Sequence, residues 1–206
     1  RPWRYTITSN ASGPGIVVYD RESKTGLDVA VGIRLMADGS ISLSPRVNNT
    51  TGKAHTFQFW VNAMLPYSPE AGFALPATRV LVHSTGDGSL PLPYQPMSWP
   101  VFNGRDFSRA SEWRNYLGVF AESLTGGSVA VSYADGSRVA RSFPLQIAKG
   151  VKLFLLGDLS ANLYTDDDSR YLEMWGGLTR TFDESAVIEP GAQISWTETW
   201  QVTPPK

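Results

Sequence analysis

An all-β fold built as a sandwich of two antiparallel sheets is the class that this sequence predicts, on three observations. Short runs of alternating apolar and polar residues recur along the chain, Gly, Pro, Asn and Asp punctuate them, and helical periodicity is nearly absent. A length of 206 residues fits one domain, 1–206, because sandwiches often reach this size around a single core. The chain opens on Arg1 rather than Met, as a processed product or a piece of a longer protein would.

Leu27, Val29, Val31, Ile33 and Leu35 alternate with Asp28, Ala30, Gly32 and Arg34, which gives a strand with one apolar face. The turn Ala37-Asp38-Gly39-Ser40 leads into Ile41, Leu43, Pro45 and Val47, interleaved with Ser42, Ser44, Arg46 and Asn48. These two runs form a hairpin, and Pro45 marks an edge or a bulge. A long strand follows over 55–64, with His55, Phe57, Phe59, Val61 and Ala63 on one side and Thr56, Gln58, Trp60, Asn62 and Met64 on the other. Residues 66–116 are rich in Pro and aromatics and read as a structured excursion, with a clear strand at 79–83 and the one candidate helix at 108–116. Strands resume at 117–121, 128–133, 139–143 and 151–156, the middle pair joined by the hairpin signal Ala134-Asp135-Gly136-Ser137. The last two run over 171–177 and 192–202, separated by a loop containing Glu189-Pro190-Gly191. So many one-faced strands must bury their apolar sides against a second sheet.

The composition narrows the partners. With 18 basic and 19 acidic residues the formal charge is -1, too weak a field to draw nucleic acid or an anionic membrane. The longest apolar runs fall far short of the ~20 residues that span a bilayer. Cysteine is absent, which removes disulfides, thiol nucleophiles and thiolate metal sites and leaves the compartment open. No phosphate-binding glycine loop, nucleophile elbow or zinc spacing is present, so no cofactor and no metal is implied. Asp166-Asp167-Asp168 lacks the spacing of a calcium loop and reads as a solvated turn. Asn10-Ala11-Ser12 and Asn49-Thr50-Thr51 match the glycosylation pattern, which is too common by chance to establish secretion.

The polar sides of the strands carry the candidate site. Arg46, Asn48, Trp60 and Asn62 lie opposite the apolar stripes, as do Tyr171, Glu173 and Trp175 opposite Leu172 and Met174. If these strands share a sheet, its second face is aromatic and polar together. Such a surface suits a carbohydrate, whose C–H faces lie on rings while its hydroxyls meet amides, carboxylates and guanidinium groups. The plainer alternative is a half-solvated sheet with scattered Trp and Arg. Glu198 shares a face with Ile194, Trp196, Trp200 and Val202, so it requires a partner. It forms either an acid/base pair with Glu173, of the sort glycoside chemistry uses, or a structural ion pair with an arginine such as Arg180. His55 sits on an apolar strand face and reads as a packed residue.

The carboxy-terminal half carries a resemblance. Pro96-Met97-Ser98-Trp99-Pro100, Gly104-Arg105-Asp106-Phe107, Gly118-Val119-Phe120-Ala121, Gly150-Val151-Lys152-Leu153-Phe154 and Tyr171-Leu172-Glu173-Met174-Trp175-Gly176-Gly177 occur in order, closing with Trp196-Thr197-Glu198-Thr199-Trp200. This series, within residues 27–202, resembles an uncharacterised family of bacterial domains related to galactose mutarotase. The resemblance implies the β-supersandwich fold, with sugar bound on the concave face of a large sheet. It implies too that a glutamate serves as base and a histidine as acid in mutarotases proper. Glu173 is the candidate carboxylate; His55 and His83 match no histidine position of that pattern. The expectation is therefore a carbohydrate-binding domain, with Trp60 and Trp175 as stacking platforms and Arg46, Asn48, Asn62, Tyr171 and Glu173 as polar partners. The alternatives are a sugar epimerase or polysaccharide-cleaving enzyme with Glu173 as catalytic base, and a structural domain without a ligand.

Overall fold

The computed structural model describes residues 3–10, 13–163 and 165–206. The strands of its first half are β1 (Arg4–Asn10), β2 (Gly13–Arg21), β3 (Asp28–Leu35), β4 (Ile41–Asn48), β5 (His55–Phe57), β6 (Trp60–Pro66), β7 (Gly72–Ala74), β8 (Arg79–Thr85), β9 (Pro96–Ser98), β10 (Val101–Phe102) and β11 (Arg105–Asp106). Those of the second are β12 (Leu117–Ala121), β13 (Ser128–Ser132), β14 (Arg138–Ser142), β15 (Gly150–Leu155), β16 (Tyr171–Gly177), β17 (Ala186–Ile188), β18 (Gln193–Ser195) and β19 (Glu198–Thr203). A larger sheet of nine strands runs β1-β2-β3-β4-β19-β14-β13-β7, with β18 also on β4. A smaller sheet of six strands runs β6-β16-β15-β12-β8-β9, and the pairs β10-β11 and β17-β5 stand apart.

Two hairpins of the larger sheet turn by the same chemistry. Asp38 Oδ1 accepts the backbone N–H and hydroxyl of Ser40, and Asp135 Oδ1 does the same for Ser137. In each, a glycine takes the left-handed conformation between them, Gly39 at φ 81° and Gly136 at φ 85°. The Asp-Gly-Ser triplets thus set the β3–β4 and β13–β14 registers.

The core lies between the sheets. Val80, Val82, Leu117, Val119, Val151, Leu153, Leu172 and Met174 from the smaller sheet meet Val129, Val131 and Trp200 from the larger, with Phe143 just past the end of β14. Each fully buried side chain of this kind contributes about 1.5–3 kcal/mol. A satellite cluster of Leu27, Val47 and Ile188 closes one end. Among the described residues no helix is long and apolar enough to cross a membrane.

Several expected elements differ. The strand predicted over 55–64 is two: β5 pairs with β17, whereas β6 pairs with β16 in the smaller sheet. At the break the Gln58 side-chain amide donates to the Phe182 carbonyl, and the Phe59 carbonyl accepts from the Leu178 N–H at 3.1 Å. The run 192–202 divides into β18 and β19, both paired with β4. The helix expected at 108–116 is a single 3-10 turn, Ala110–Glu112. Its continuation is diverted because buried Trp113 is extended and donates its indole N–H to the Phe107 carbonyl at 2.8 Å.

Glu198 is a structural carboxylate, but its arginine is not Arg180. Arg141 grips it with Nε and Nη2, each at 2.7 Å, and the Trp196 indole adds a bond of 2.8 Å. Both charged side chains are fully buried between the sheets, while Arg180 pairs with Glu184. The sequon at Asn10 includes residues outside the described ones. At Asn49 the side-chain amide is buried and donates to the carbonyls of Lys53 and Ile188, so in the folded chain it does not face solvent.

Candidate functional site

Five of the predicted site residues meet on the outer face of the smaller sheet. Strand alternation turns Leu172 and Met174 inward and Tyr171, Glu173 and Trp175 outward. Across the register Trp175 stands opposite Asn62 and Gly177 opposite Trp60, which brings β6 into the same face. The Trp175 indole N–H donates to Glu173 Oε2 at 2.6 Å and fixes both side chains.

Arg46 and Asn48 are elsewhere, which corrects the expectation of one shared face. They lie on β4 of the larger sheet, and their side chains point away from the core, toward the opposite outer face of the sandwich. There they line a groove of 430 Å3 with Arg4, Thr6, Tyr19 and Asp28. Strand alternation alone cannot separate two outer faces, since both have the same period.

The structure adds residues to the first group. Lys152 on β15 stands opposite Trp175 and opposite Phe120 on β12. It is 5% exposed, and its ammonium lies 4.0 Å from Glu173 Oε2 and 4.6 Å from the Trp175 ring centre. Phe154 and Phe182 complete an aromatic box at 5.2 and 5.1 Å. Burial lowers the Lys152 pKa, and Glu173 opposes that shift. The outward position of Lys152 within the apolar run 151–156 was the signal that could have singled it out.

His83 enters through an irregularity. The β8–β12 register shifts between Gly118 and Val119, where Ser84 and Val82 are the successive partners and His83 is the extra residue. Its ring lies 5.0 Å from Phe120 and 5.3 Å from Phe182. Burial lowers its pKa, the Lys152 charge lowers it further, and Asp183 acts the other way. Tyr94, next to His83, has its pKa raised by burial and by Asp183.

Trp60 is seated rather than free. Its ring lies over Gly150 and Gly177, where any side chain would overlap it, and packs edge-on against Phe182 at 4.8 Å. Its indole N–H is buried with no partner among the described residues. Among the described residues no group of three His, Cys, Asp or Glu is placed to hold a metal. The whole face offers flat rings, the Lys152 ammonium, the carboxylate of Glu173 and, beside His83 and Tyr94, that of Asp183, an imidazole, and the exposed amide of Asn62. These groups can grip a ring with an apolar flank and polar edges, and can move protons between carboxylate, imidazole and a bound hydroxyl.

No protein-family model matches the chain, and neither does any curated protein. Solved structures do. A TPR-domain containing protein from Parabacteroides distasonis superposes with a TM-score of 0.82 at 21% identity, over 98% of this chain and 34% of its own. An aldose epimerase homologue from C. elegans gives 0.67 at 9% identity, over 100% of this chain and 70% of its own. A galactose mutarotase-like protein from Lactobacillus casei gives 0.60 at 7% identity, over 97% and 73%. The chain thus spans about a third of the first protein's length and between two thirds and three quarters of the others. On these superpositions and its two antiparallel sheets, the chain has the galactose mutarotase-like β-sandwich fold.

Proposed function

We propose that the chain binds a carbohydrate on the outer face of the smaller sheet. The observation that carries this reading is the convergence of Trp175, Glu173, Lys152 and Asn62 from three adjacent strands onto one face, with His83 at its far side. The Trp175 ring supplies a platform for the C–H face of a pyranose. Among the described residues the Trp175 and Lys152 contacts of Glu173 both fall on Oε2, which leaves Oε1 for a sugar hydroxyl. The names of the structural neighbours, an aldose epimerase homologue and a galactose mutarotase-like protein, support a sugar as the ligand class. The test is a glycan panel screened against the folded chain and its Trp175→Ala variant. Binding that falls about tenfold or more in the variant, the equivalent of about 1.4 kcal/mol, is the expected result; equal binding by both proteins removes Trp175 as the platform.

A second reading is sugar epimerisation, favoured by the Lys152 ammonium 4.0 Å from the Glu173 carboxylate. Opening a cyclic sugar requires a base at the anomeric hydroxyl and an acid at the ring oxygen. Glu173 is the base, and Lys152 is the nearest proton donor. Interconversion of α and β anomers by the wild type, lost in Glu173→Gln while binding persists, selects this reading over simple binding.

A further inference from the structure

The segment 178–185, between β16 and β17, crosses the outer face of the smaller sheet and sets Phe182 at its centre. That ring touches Trp60 at 4.8 Å, Phe120 at 5.0 Å, His83 at 5.3 Å and Trp175 at 5.6 Å between centroids. It also forms one wall of the box around the Lys152 ammonium, 5.1 Å away. Phe182 thus occupies the place that a ligand ring would take between Trp175 and His83.

The segment is braced within itself, and few hydrogen bonds tie its tip to its surroundings. Arg180 binds Glu184 through its backbone N–H at 3.1 Å and its Nε at 2.9 Å, and the Thr179 hydroxyl donates to the Thr181 carbonyl at 3.0 Å. Outside its own residues, the Leu178 N–H bonds the Phe59 carbonyl at the root, and at the tip the Gln58 side-chain amide donates to the Phe182 carbonyl and the Tyr94 hydroxyl to Asp183. Leu178, Thr179 and Thr181 are buried and anchor the root, so the part free to swing is the tip around Phe182, held by two side-chain bonds and its ring contacts. Beneath it the buried Trp60 indole N–H has no partner among the described residues and is a donor to which an entering hydroxyl could bond.

We propose that 178–185 is a lid over the carbohydrate site, closed by Phe182 in this structure and displaced when ligand enters. This rests on the reading that the smaller sheet's outer face is the ligand face, and it assigns that site a closed resting state. Lys152 reports the state without any ligand, because it is buried under Phe182 while Lys149, three residues earlier, is exposed.

The experiment labels the amines of the whole chain with acetic anhydride and reads the ratio of Lys152 to Lys149 modification by peptide mass spectrometry. In the wild type the ratio is far below one. Phe182→Ala raises it by about fivefold or more, and Gln58→Ala, an exposed substitution that leaves the core untouched, raises it by about two- to fivefold through loss of one bond. A ratio near one in the wild type overturns the closed state. An unchanged ratio in Gln58→Ala together with folded Phe182→Ala overturns the lid, and if Phe182→Ala does not fold, Gln58→Ala alone decides. No sugar is present, so failure of carbohydrate binding and failure of the lid are separate results.

Discussion

Arg141 and Glu198 are two charges in a space without water, and each is bearable only because the other is there. The guanidinium meets both carboxylate oxygens, lies 4.2 Å over the Phe143 ring, and abuts Gly176, where a methyl group would overlap it. Glu198→Ala should therefore cost about 3–5 kcal/mol in urea unfolding, because it strands a buried cation. The double replacement Arg141→Met with Glu198→Met should recover most of that loss, and a double variant as unstable as the single one contradicts the account. Sequence alternation exposed Glu198 as a carboxylate needing a partner, yet it named the wrong arginine. The right one lies 57 residues away on a neighbouring strand, a pairing that only the β14–β19 register decides.

Asp87 makes a second residue-scale prediction. Burial opposes its ionisation, but the Ser89 hydroxyl and Arg105 outweigh this and hold its pKa at about 2, below the ordinary 3.8. A carboxylate depressed on folding stabilises the fold above its unfolded value, and the contribution fades as pH falls from about 4 toward 2. Asp87→Asn should be less stable than wild type by about 1–3 kcal/mol at pH 7. Unfolding measured between pH 7 and pH 2 should show that gap closing below pH 4; a constant gap contradicts the assignment.

At the scale of elements, the alternation of β16 was legible because its inward Leu172 and Met174 and outward Tyr171, Glu173 and Trp175 follow a strict period of two. The β3–β4 and β13–β14 hairpins were equally legible, since Asp-Gly-Ser writes its own turn. The break between β5 and β6 was not, because Gln58 and Phe59 continue the alternation and the chain leaves the sheet for reasons set by Phe182 and Leu178, over a hundred residues on. The bulge that delivers His83 to the site is hidden in the same way. Gly177→Ala pushes a methyl group into the seat of Trp60, and Gly150→Ala pushes one against the Thr179 carbonyl as well as that ring. Either should lower stability by about 1–3 kcal/mol and shift Trp fluorescence; tolerance of both would mean that the seat is loose.

At the scale of the whole molecule, two sheets of unequal size bury one core and leave two outer faces of different chemistry. The sequence pattern identified polar and aromatic faces and the sandwich, but it merged the two faces, so Arg46 and Asn48 were grouped with residues on the far side of the core. What separates them is strand order, with β4 beside β19 and β6 beside β16, and no local signal encodes that order. Sugar is expected to meet the face bearing Trp175. The most direct measurement is an NMR titration that follows the seven tryptophan indole N–H signals as free hexoses and pentoses are added. The account predicts that the Trp175 signal, whose N–H is bonded to Glu173, shifts in proportion to binding, while that of Trp196, buried against Glu198, stays fixed. Binding that leaves the Trp175 signal unmoved, or no binding by any sugar, would contradict it.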